Sequence, residues 1–213
     1  MSSPTASAPR TETGAPPIGA LSSAFAGIDM PVLIVPGLGD SGPQHWQSHW
    51  QRQLPGARRV TQQNWQNADL EVWTATLARE IEASTPAPMI IAHSFGCLAT
   101  LRVAYSGARI RAALLVAPAD PERFGIGAEL TRKPLPFAST MIASSNDPWL
   151  KLIRAGALAS AWGSRFVLYR NAGHINAESG FGAWPQGMTH VHELAGRAAH
   201  GSSSALAARA HAN

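Results

Sequence analysis

Ser94 stands where an apolar run gives way to a helix-like segment, in residues 90–96, which read IIAHSFG. A serine hydroxyl at such a point can attack a carbonyl carbon, because a sharp strand-to-helix turn lifts the side chain clear of the sheet. Small residues two positions away on either side, here Ala92 and Gly96, let the neighbouring chains approach closely enough for that turn. The pattern predicts a nucleophile elbow, and the alternative interpretation is an ordinary strand-to-helix turn.

A serine nucleophile needs a base to take its proton and a carboxylate to orient that base, and both residue types follow along the chain. Residues 137–145 are typical of a buried strand, and Asp147 comes directly after them. Residues 165–169 predict the next strand, and His174 lies on the loop beyond it. The order Ser94, Asp147, His174, each just past a strand, is that of the α/β-hydrolase fold. The sequence therefore predicts a Ser-His-Asp triad.

Other residues compete for the acid and base roles. Asp120 follows the preceding strand, and Glu178 follows the predicted base, so each is an alternative acid. Asp147 is also expected to cap a helix that has Pro148 at its first position. His93 should point away from the nucleophile across the elbow, which favours a packing or supporting role over base catalysis.

A glycine-rich loop follows the first predicted strand, within residues 31–41, which read PVLIVPGLGDS. In an enzyme with a nucleophile elbow, such a loop supplies a backbone amide to the oxyanion of the tetrahedral intermediate. The amides of Leu38 and Phe95 are the predicted pair of donors. A phosphate-binding loop is the alternative, but neither a Gly-Lys-Ser ending nor a G-x-G-x-x-G run is present.

Seven tryptophans are many for 213 residues, and three fall near the loops that should surround the nucleophile. Our hypothesis is that one or two of Trp46, Trp149 and Trp184 line an acyl or aromatic pocket, and the alternative is core or rim packing. Residues 120–136 are too few for a lid of the size found in lipases. The chain is therefore expected to act on small or exposed substrates.

Several motifs resemble those of the retinoblastoma-binding-protein-9 family of small serine hydrolases, particularly its bacterial branch. The matching segments are residues 35–41 (VPGLGDS), 44–46 (QHW), 92–96 (AHSFG), 146–148 (NDP) and 173–176 (GHIN). The resemblance implies a compact α/β-hydrolase without a large cap domain or a cofactor. It also implies that Ser94, Asp147 and His174 are the nucleophile, acid and base.

The resemblance does not extend to binding of the retinoblastoma protein. The motif L-x-C-x-E is absent, because Cys97 is followed by Leu98 and Ala99. We expect Cys97 to pack in a buried helix. The family resemblance also leaves the natural substrate open.

Strands alternate with helices along the chain, which predicts a mostly parallel, doubly wound sheet with helices on both faces. The continuous apolar runs suit strands buried on both sides. Residues 69–84 have a helical period, with Asp69 as a plausible cap. Ligands of such sheets bind at the carboxyl ends of the strands, where all three triad residues fall. The six predicted strands are residues 31–36, 58–62, 88–93, 111–117, 138–144 and 165–170.

The length of 213 residues suits one enzyme domain, predicted here over residues 29–200 with a closing helix within 184–200. Residues 1–28 lack the features of a signal peptide and predict a loosely ordered extension. Residues 201–213 predict a flexible tail. One cysteine allows no internal disulfide, and no segment reaches transmembrane length, so a cytoplasmic location without membrane attachment is expected.

The net charge of +4 is scattered along the chain, which disfavours binding of nucleic acid. Metal binding is also disfavoured. His45 and His49 could share a helix face, and His190 lies close to His192, but no thiolate or carboxylate set completes a site.

Together these patterns predict a carboxylesterase that hydrolyses small acyl esters without a cofactor. The alternatives are an amidase or peptidase of the same fold and a catalytically idle α/β-hydrolase that serves as a binding module. Protein partners and the oligomeric state remain open.

Overall fold

The computed structural model describes residues 28–54, 56–130 and 133–210, and all but the last residue of the predicted N-terminal extension lies outside them. Their strands form one six-stranded sheet in which every pairing is parallel. The strands are β1 Val32–Val35, β2 Arg58–Arg59, β3 Met89–His93, β4 Ala112–Val116, β5 Ala138–Ser144 and β6 Arg165–Tyr169.

All six predicted strands are confirmed, and the sheet has the order β2-β1-β3-β4-β5-β6. Chain order reverses between β1 and β3, which is the point where ligands of a doubly wound sheet bind. Every residue of β1, β3 and β4 is buried, as expected for parallel strands covered on both faces. The edge strand β6 is largely exposed.

Helices cover both faces of the sheet. The helices are α1 Trp46–Gln53, α2 Leu70–Glu82, α3 Phe95–Tyr105, α4 Gly127–Leu130, α5 Leu152–Ala161 and α6 Pro185–Ala210. Apolar side chains of α2, α3 and α5 form one core on one face, while those of α1 and α6 form a second core on the other. The predicted cap of α2 is confirmed, because the Asp69 side chain accepts a hydrogen bond from the amide of Val72.

Two predicted helix boundaries are wrong. The closing helix α6 continues to Ala210 and so enters the predicted tail, because residues 205–210 are rich in alanine, the strongest helix former. The helix after β5 does not begin at Pro148. It begins at Leu152, and the Asp147 carboxylate instead accepts the amide of Trp149 in a short turn.

Within its described residues, the connection between β4 and β5 contains two short helices, Pro121–Phe124 and α4, and no large cap domain. The carboxyl ends of the central strands therefore open directly toward solvent. Among the described residues, no helix combines the length and the apolar character needed to cross a bilayer.

Candidate active site

Ser94 lies at a sharp turn between β3 and α3, with φ 52° and ψ −123°. This strained backbone conformation is the one expected at a nucleophile elbow. The following glycine is required by sterics, because a Cβ on Gly96 would lie 2.3 Å from the carbonyl oxygen of Pro36 and 2.6 Å from that of Val35. A Cβ on Gly37 would similarly lie 2.7 Å from the Ser94 Cβ. Close backbone packing against the end of β1 therefore fixes the elbow.

The three residues predicted as a triad lie within hydrogen-bond distance of one another. The Ser94 Oγ is 2.9 Å from the His174 Nε2, and the His174 Nδ1 is 3.0 Å from both carboxylate oxygens of Asp147. The Asp147 side chain is 2% exposed. A buried carboxylate on Nδ1 keeps the proton there and leaves Nε2 free to accept the serine proton.

Polar side chains hold the loop that carries His174. The His93 Nε2 donates to the carbonyl oxygen of His174 over 2.9 Å, and the Trp46 Nε1 donates to that of Ile175 over 2.9 Å. The amide of His174 donates to the Ser179 Oγ over 3.1 Å. Because these contacts come from β3, α1 and the loop itself, the position of His174 is fixed largely by distant parts of the chain.

The acid loop and the base loop are also joined directly. The Asn146 Oδ1 accepts the amide of Gly173 at 2.8 Å, and the Ser144 Oγ accepts the amide of Ala172 at 3.0 Å. Ser144 in turn donates to Asn146. Hydrogen bonds between the two loops therefore flank the contact between Asp147 and His174, and they fix the distance between these two side chains.

The amides of Leu38 and Phe95 are both without a hydrogen-bond acceptor among the described residues. Both residues line the cleft that also contains Ser94. The Leu38 loop lies against the nucleophile, because a Cβ on neighbouring Gly37 would be 3.3 Å from the Ser94 Oγ. Phe95 begins α3, so its amide also lies at the positive end of that helix. Two free donors beside one hydroxyl suit an oxyanion hole.

A cleft of about 470 Å³ opens in front of the nucleophile. This volume lies within the range of small-molecule sites. Its lining combines aromatic rings with polar or charged groups. Among the lining residues are Asp40, His45, Phe95, Phe124, Trp149, Asn176 and Glu178.

Of the three tryptophans considered for a substrate pocket, one lies at the cleft. Trp149 lines the cleft and is half exposed. Trp46 and Trp184 are buried in the core on the α1 face and do not line it. Trp46 and Trp50 are four residues apart on α1, so both point toward the sheet, and Trp184 packs against both rings. Trp46 therefore packs beneath the loop that carries His174, to which its indole donates a hydrogen bond.

The alternative acids lie elsewhere. The Asp120 carboxylate pairs with Arg154 at 3.2 Å and caps the short helix after β4. Glu178 lines the cleft, where its carboxylate accepts a hydrogen bond from the Asn176 side chain. Asp147 is thus the carboxylate that the structure brings to His174.

Two further imidazoles lie beside the base. The His93 ring lies between those of His45 and His174, with centroids 4.8 and 4.9 Å away, and is inclined steeply to both. Burial lowers the pKa of His45 to about 3, with Arg59 adding to the effect, and burial also places the pKa of His93 well below its usual value. Both rings are therefore neutral at pH 7. The His45 Nδ1 accepts the amide of Gln47, which leaves the proton on Nε2.

Sequence reasoning missed the role of Gln47. This fully buried side chain donates to the carbonyl oxygens of Val35 on β1 and Ile91 on β3, and accepts a hydrogen bond from Ser41. It thereby ties the loop after β1 to the two strands between which the cleft opens. The feature of the sequence that could have indicated this role is a glutamine at a position of α1 that faces the core.

No group of three or more potential metal ligands converges within residues 28–54, 56–130 and 133–210. Of the histidines considered for a metal, His45 caps α1, and His190 lies 3.0 Å from the hydroxyl of Tyr169. Cys97 is fully buried in α3, and its burial raises the pKa of the thiol.

Comparison with protein families matches residues 32–193 to the serine hydrolase family. The chain belongs to the serine hydrolase family. The matched region contains Ser94, Asp147 and His174, together with both candidate oxyanion donors. None of the curated proteins searched matches the sequence.

Solved structures of hydrolases resemble this serine hydrolase closely. A YdeN-like hydrolase from Pectobacterium atrosepticum is 38% identical, with a TM-score of 0.81 over 84% of this chain and 98% of that chain. The ydeN gene product of B. subtilis is 21% identical, with a TM-score of 0.66 over 77% and 97% of the two chains. An esterase domain from a Rhodothermus marinus protein shares the fold at 16% identity, with a TM-score of 0.54 over 73% and 81%.

Proposed function

We propose that this serine hydrolase is a carboxylesterase that cleaves small acyl esters through an acyl-enzyme on Ser94. The observation that carries the proposal is the continuous relay from the Ser94 Oγ through His174 to Asp147, at 2.9 and 3.0 Å. These are the distances at which a base can take a proton from its nucleophile. The cleft in front of the hydroxyl, together with the absence of a large cap from the described residues, supports a small substrate.

In the acylation step, His174 takes the Ser94 proton while the Oγ forms a bond to the substrate carbonyl carbon. The carbonyl oxygen becomes negative, and the amides of Leu38 and Phe95 stabilise it. The carbon–oxygen bond to the alcohol then breaks, and His174 gives its proton to the departing alkoxide. Asp147 stabilises the imidazolium in between.

In the deacylation step, water takes the place of the alcohol. His174 removes a proton from that water, whose oxygen attacks the acyl carbon, and the bond to the Ser94 Oγ breaks. The proton returns to Ser94, and the acid product leaves. No cofactor enters this sequence, in keeping with the proposed resemblance to the retinoblastoma-binding-protein-9 family.

Hydrolysis of p-nitrophenyl butyrate tests the proposal, with release of p-nitrophenolate as the readout. We expect turnover by the wild type and a fall in kcat of about 10³-fold or more in Ser94→Ala, because the nucleophile is lost. Ser160→Ala is the matched control, since Ser160 is exposed on α5. Equal turnover by the wild type and Ser94→Ala would contradict the proposal, and faster cleavage of the matching p-nitroanilide would favour an amidase.

A further inference from the structure

The cleft in front of Ser94 has two chemically different walls. Residues that follow β3, β4 and β5 form an apolar wall with the rings of Phe95, Phe124 and Trp149. The loops that follow β1 and β6 contribute the second part of the lining, the polar wall. It contains the polar or charged side chains of Asp40, Asn176 and Glu178 and also the apolar Leu38 and Ala177.

The loops of the polar wall are joined into one surface. The Trp46 side chain, at the end of the first loop, donates to the carbonyl oxygen of Ile175 in the second. Farther along, a Cβ on Gly182 would lie 3.7 Å from the carbonyl oxygen of Gln44. The two loops are thus in contact both before Glu178 in the sequence, at Ile175, and after it, at Gly182.

The polar wall carries a net negative charge. Asp40 is compensated, because its carboxylate lies 2.6 Å from the Arg59 guanidinium. The exposed Glu178 carboxylate accepts a hydrogen bond from the neutral Asn176 amide, and no ion pair forms to it among the described residues. None of the described residues that line the cleft is Lys or Arg. Arg123 lies at the apolar wall, 5.2 Å from the centroid of the Trp149 ring.

In the proposed mechanism, the alcohol half and the acyl half of the substrate occupy different parts of the cleft. His174 must protonate the departing oxygen, so the alcohol half leaves along the side of the cleft that His174 occupies. The chain continues from His174 directly into Asn176 and Glu178, which places their wall beside that half. The acyl half is left to the remaining apolar lining, which includes Phe124, whereas the Trp149 ring lies 6.2 Å from the His174 ring, on the side of the alcohol half.

We infer that Glu178 selects esters whose alcohol half is neutral or cationic. This inference rests on the proposed esterase function and adds the substrate class. Like charges that face each other across a partly closed cleft repel, whereas a cation on the alcohol is attracted. Because Glu178 is exposed, the effect is modest and decreases with added salt.

Two butyrate esters of equal shape test the inference. Choline carries a quaternary ammonium in its alcohol half, and 3,3-dimethylbutanol carries a neutral tert-butyl group in the same place. Since the esters differ in intrinsic reactivity, the quantity compared is the ratio of their kcat/KM values in each variant relative to the wild type. At low ionic strength we expect Glu178→Gln to lower the ratio about threefold and Glu178→Lys about tenfold.

Glu122→Gln is the matched control, because Glu122 is also an exposed carboxylate but pairs with Arg154 and does not line the cleft. We expect this variant to keep the wild-type ratio of kcat/KM values. In about 0.5 M sodium chloride, the ratios of the Glu178 variants should come close to the wild-type ratio, because salt screens the charge. If both esters are cleaved, but the ratios of both Glu178 variants at low salt lie within about 1.5-fold of the wild-type ratio, the inference is overturned. Failure to cleave either ester would instead overturn the esterase function, and the inference with it.

Discussion

The turn at Ser94 and the loop at His174 meet across 2.9 Å, but different interactions hold them in place. Around Ser94, backbone packs against backbone, and a Cβ on Gly96 would lie 2.3 Å from a carbonyl oxygen of the first loop. Around His174, the loop backbone is held by side chains of other elements, including His93. Steric contacts tolerate no added atom, whereas a hydrogen bond can be replaced by another donor of similar reach.

The largest expected effect is therefore at the elbow. In Gly96→Ala the new methyl group meets two carbonyl oxygens of rigid backbone, so we expect the free energy of unfolding to fall by about 3 kcal/mol. Esterase activity should fall with it, because the first loop must move away from Ser94. Urea unfolding and p-nitrophenyl butyrate hydrolysis measure the two effects.

Gly156→Ala is the control for this substitution, because a Cβ on Gly156 in α5 meets no atom within 4 Å. We expect it to leave activity unchanged and to raise the free energy of unfolding by up to about 1 kcal/mol, from improved helix propensity. A Gly96→Ala variant as stable and active as the wild type would show that packing does not fix the elbow.

A smaller effect is expected in the loop. In His93→Leu the carbonyl oxygen of His174 loses its buried donor, so the base is less well placed and we expect kcat to fall about tenfold. KM should change little, because His93 acts through His174. His93→Gln places an amide donor at similar reach, and we expect it to restore most of kcat.

Rescue by glutamine distinguishes positioning from simple packing, because leucine fills space equally well without donating a hydrogen bond. The control is His49→Leu on the partly exposed side of α1, which should match the wild type. If His93→Gln is no more active than His93→Leu, the hydrogen bond to His174 does not position the base.

The smallest effect concerns the neutral imidazole of His45. Its pKa is about 3 in the folded protein, against about 6.5 in the unfolded chain, so below pH 6.5 the unfolded state binds the proton first. Stability is thus lost as the pH falls from 6.5 toward 3, by about 1 kcal/mol between pH 6.5 and 5.5 for this group. His45→Asn keeps an acceptor for the cap of α1 and removes the titration.

Urea unfolding at pH 6.5 and 5.5 compares the two proteins. We expect the loss of stability over this interval to be about 1 kcal/mol smaller in His45→Asn than in the wild type. An equal loss in both proteins would mean that His45 takes up its proton in the folded state as readily as in the unfolded chain.

The two regions also differ in what the sequence predicts. Apolar runs and small residues around Ser94 follow from local sterics, so the six strands and the elbow could be predicted from short segments. The hydrogen bonds that His93 donates to His174 and that Gln47 donates to β1 and β3 join separate elements of the fold, and no period or spacing marks them. Their acceptors are backbone carbonyl oxygens, which every residue carries.

The tryptophans also show where prediction from the sequence stops. Trp46 and Trp149 both lie near predicted catalytic loops, yet one is fully buried and the other half exposed. The helical position of Trp46, four residues before Trp50, turns it toward the sheet. Trp149 lies in an irregular turn before α5, where the direction of a side chain depends on backbone angles that the sequence does not specify.

The proposed hydrolysis depends on an activated hydroxyl at Ser94. Reaction with a fluorophosphonate, followed by intact mass measurement and peptide mapping, tests this point directly. We predict one adduct per chain, located on Ser94, with labelling abolished in Ser94→Ala and retained in Ser160→Ala. A folded wild-type protein that gains no adduct, or gains it on another residue, would contradict the account.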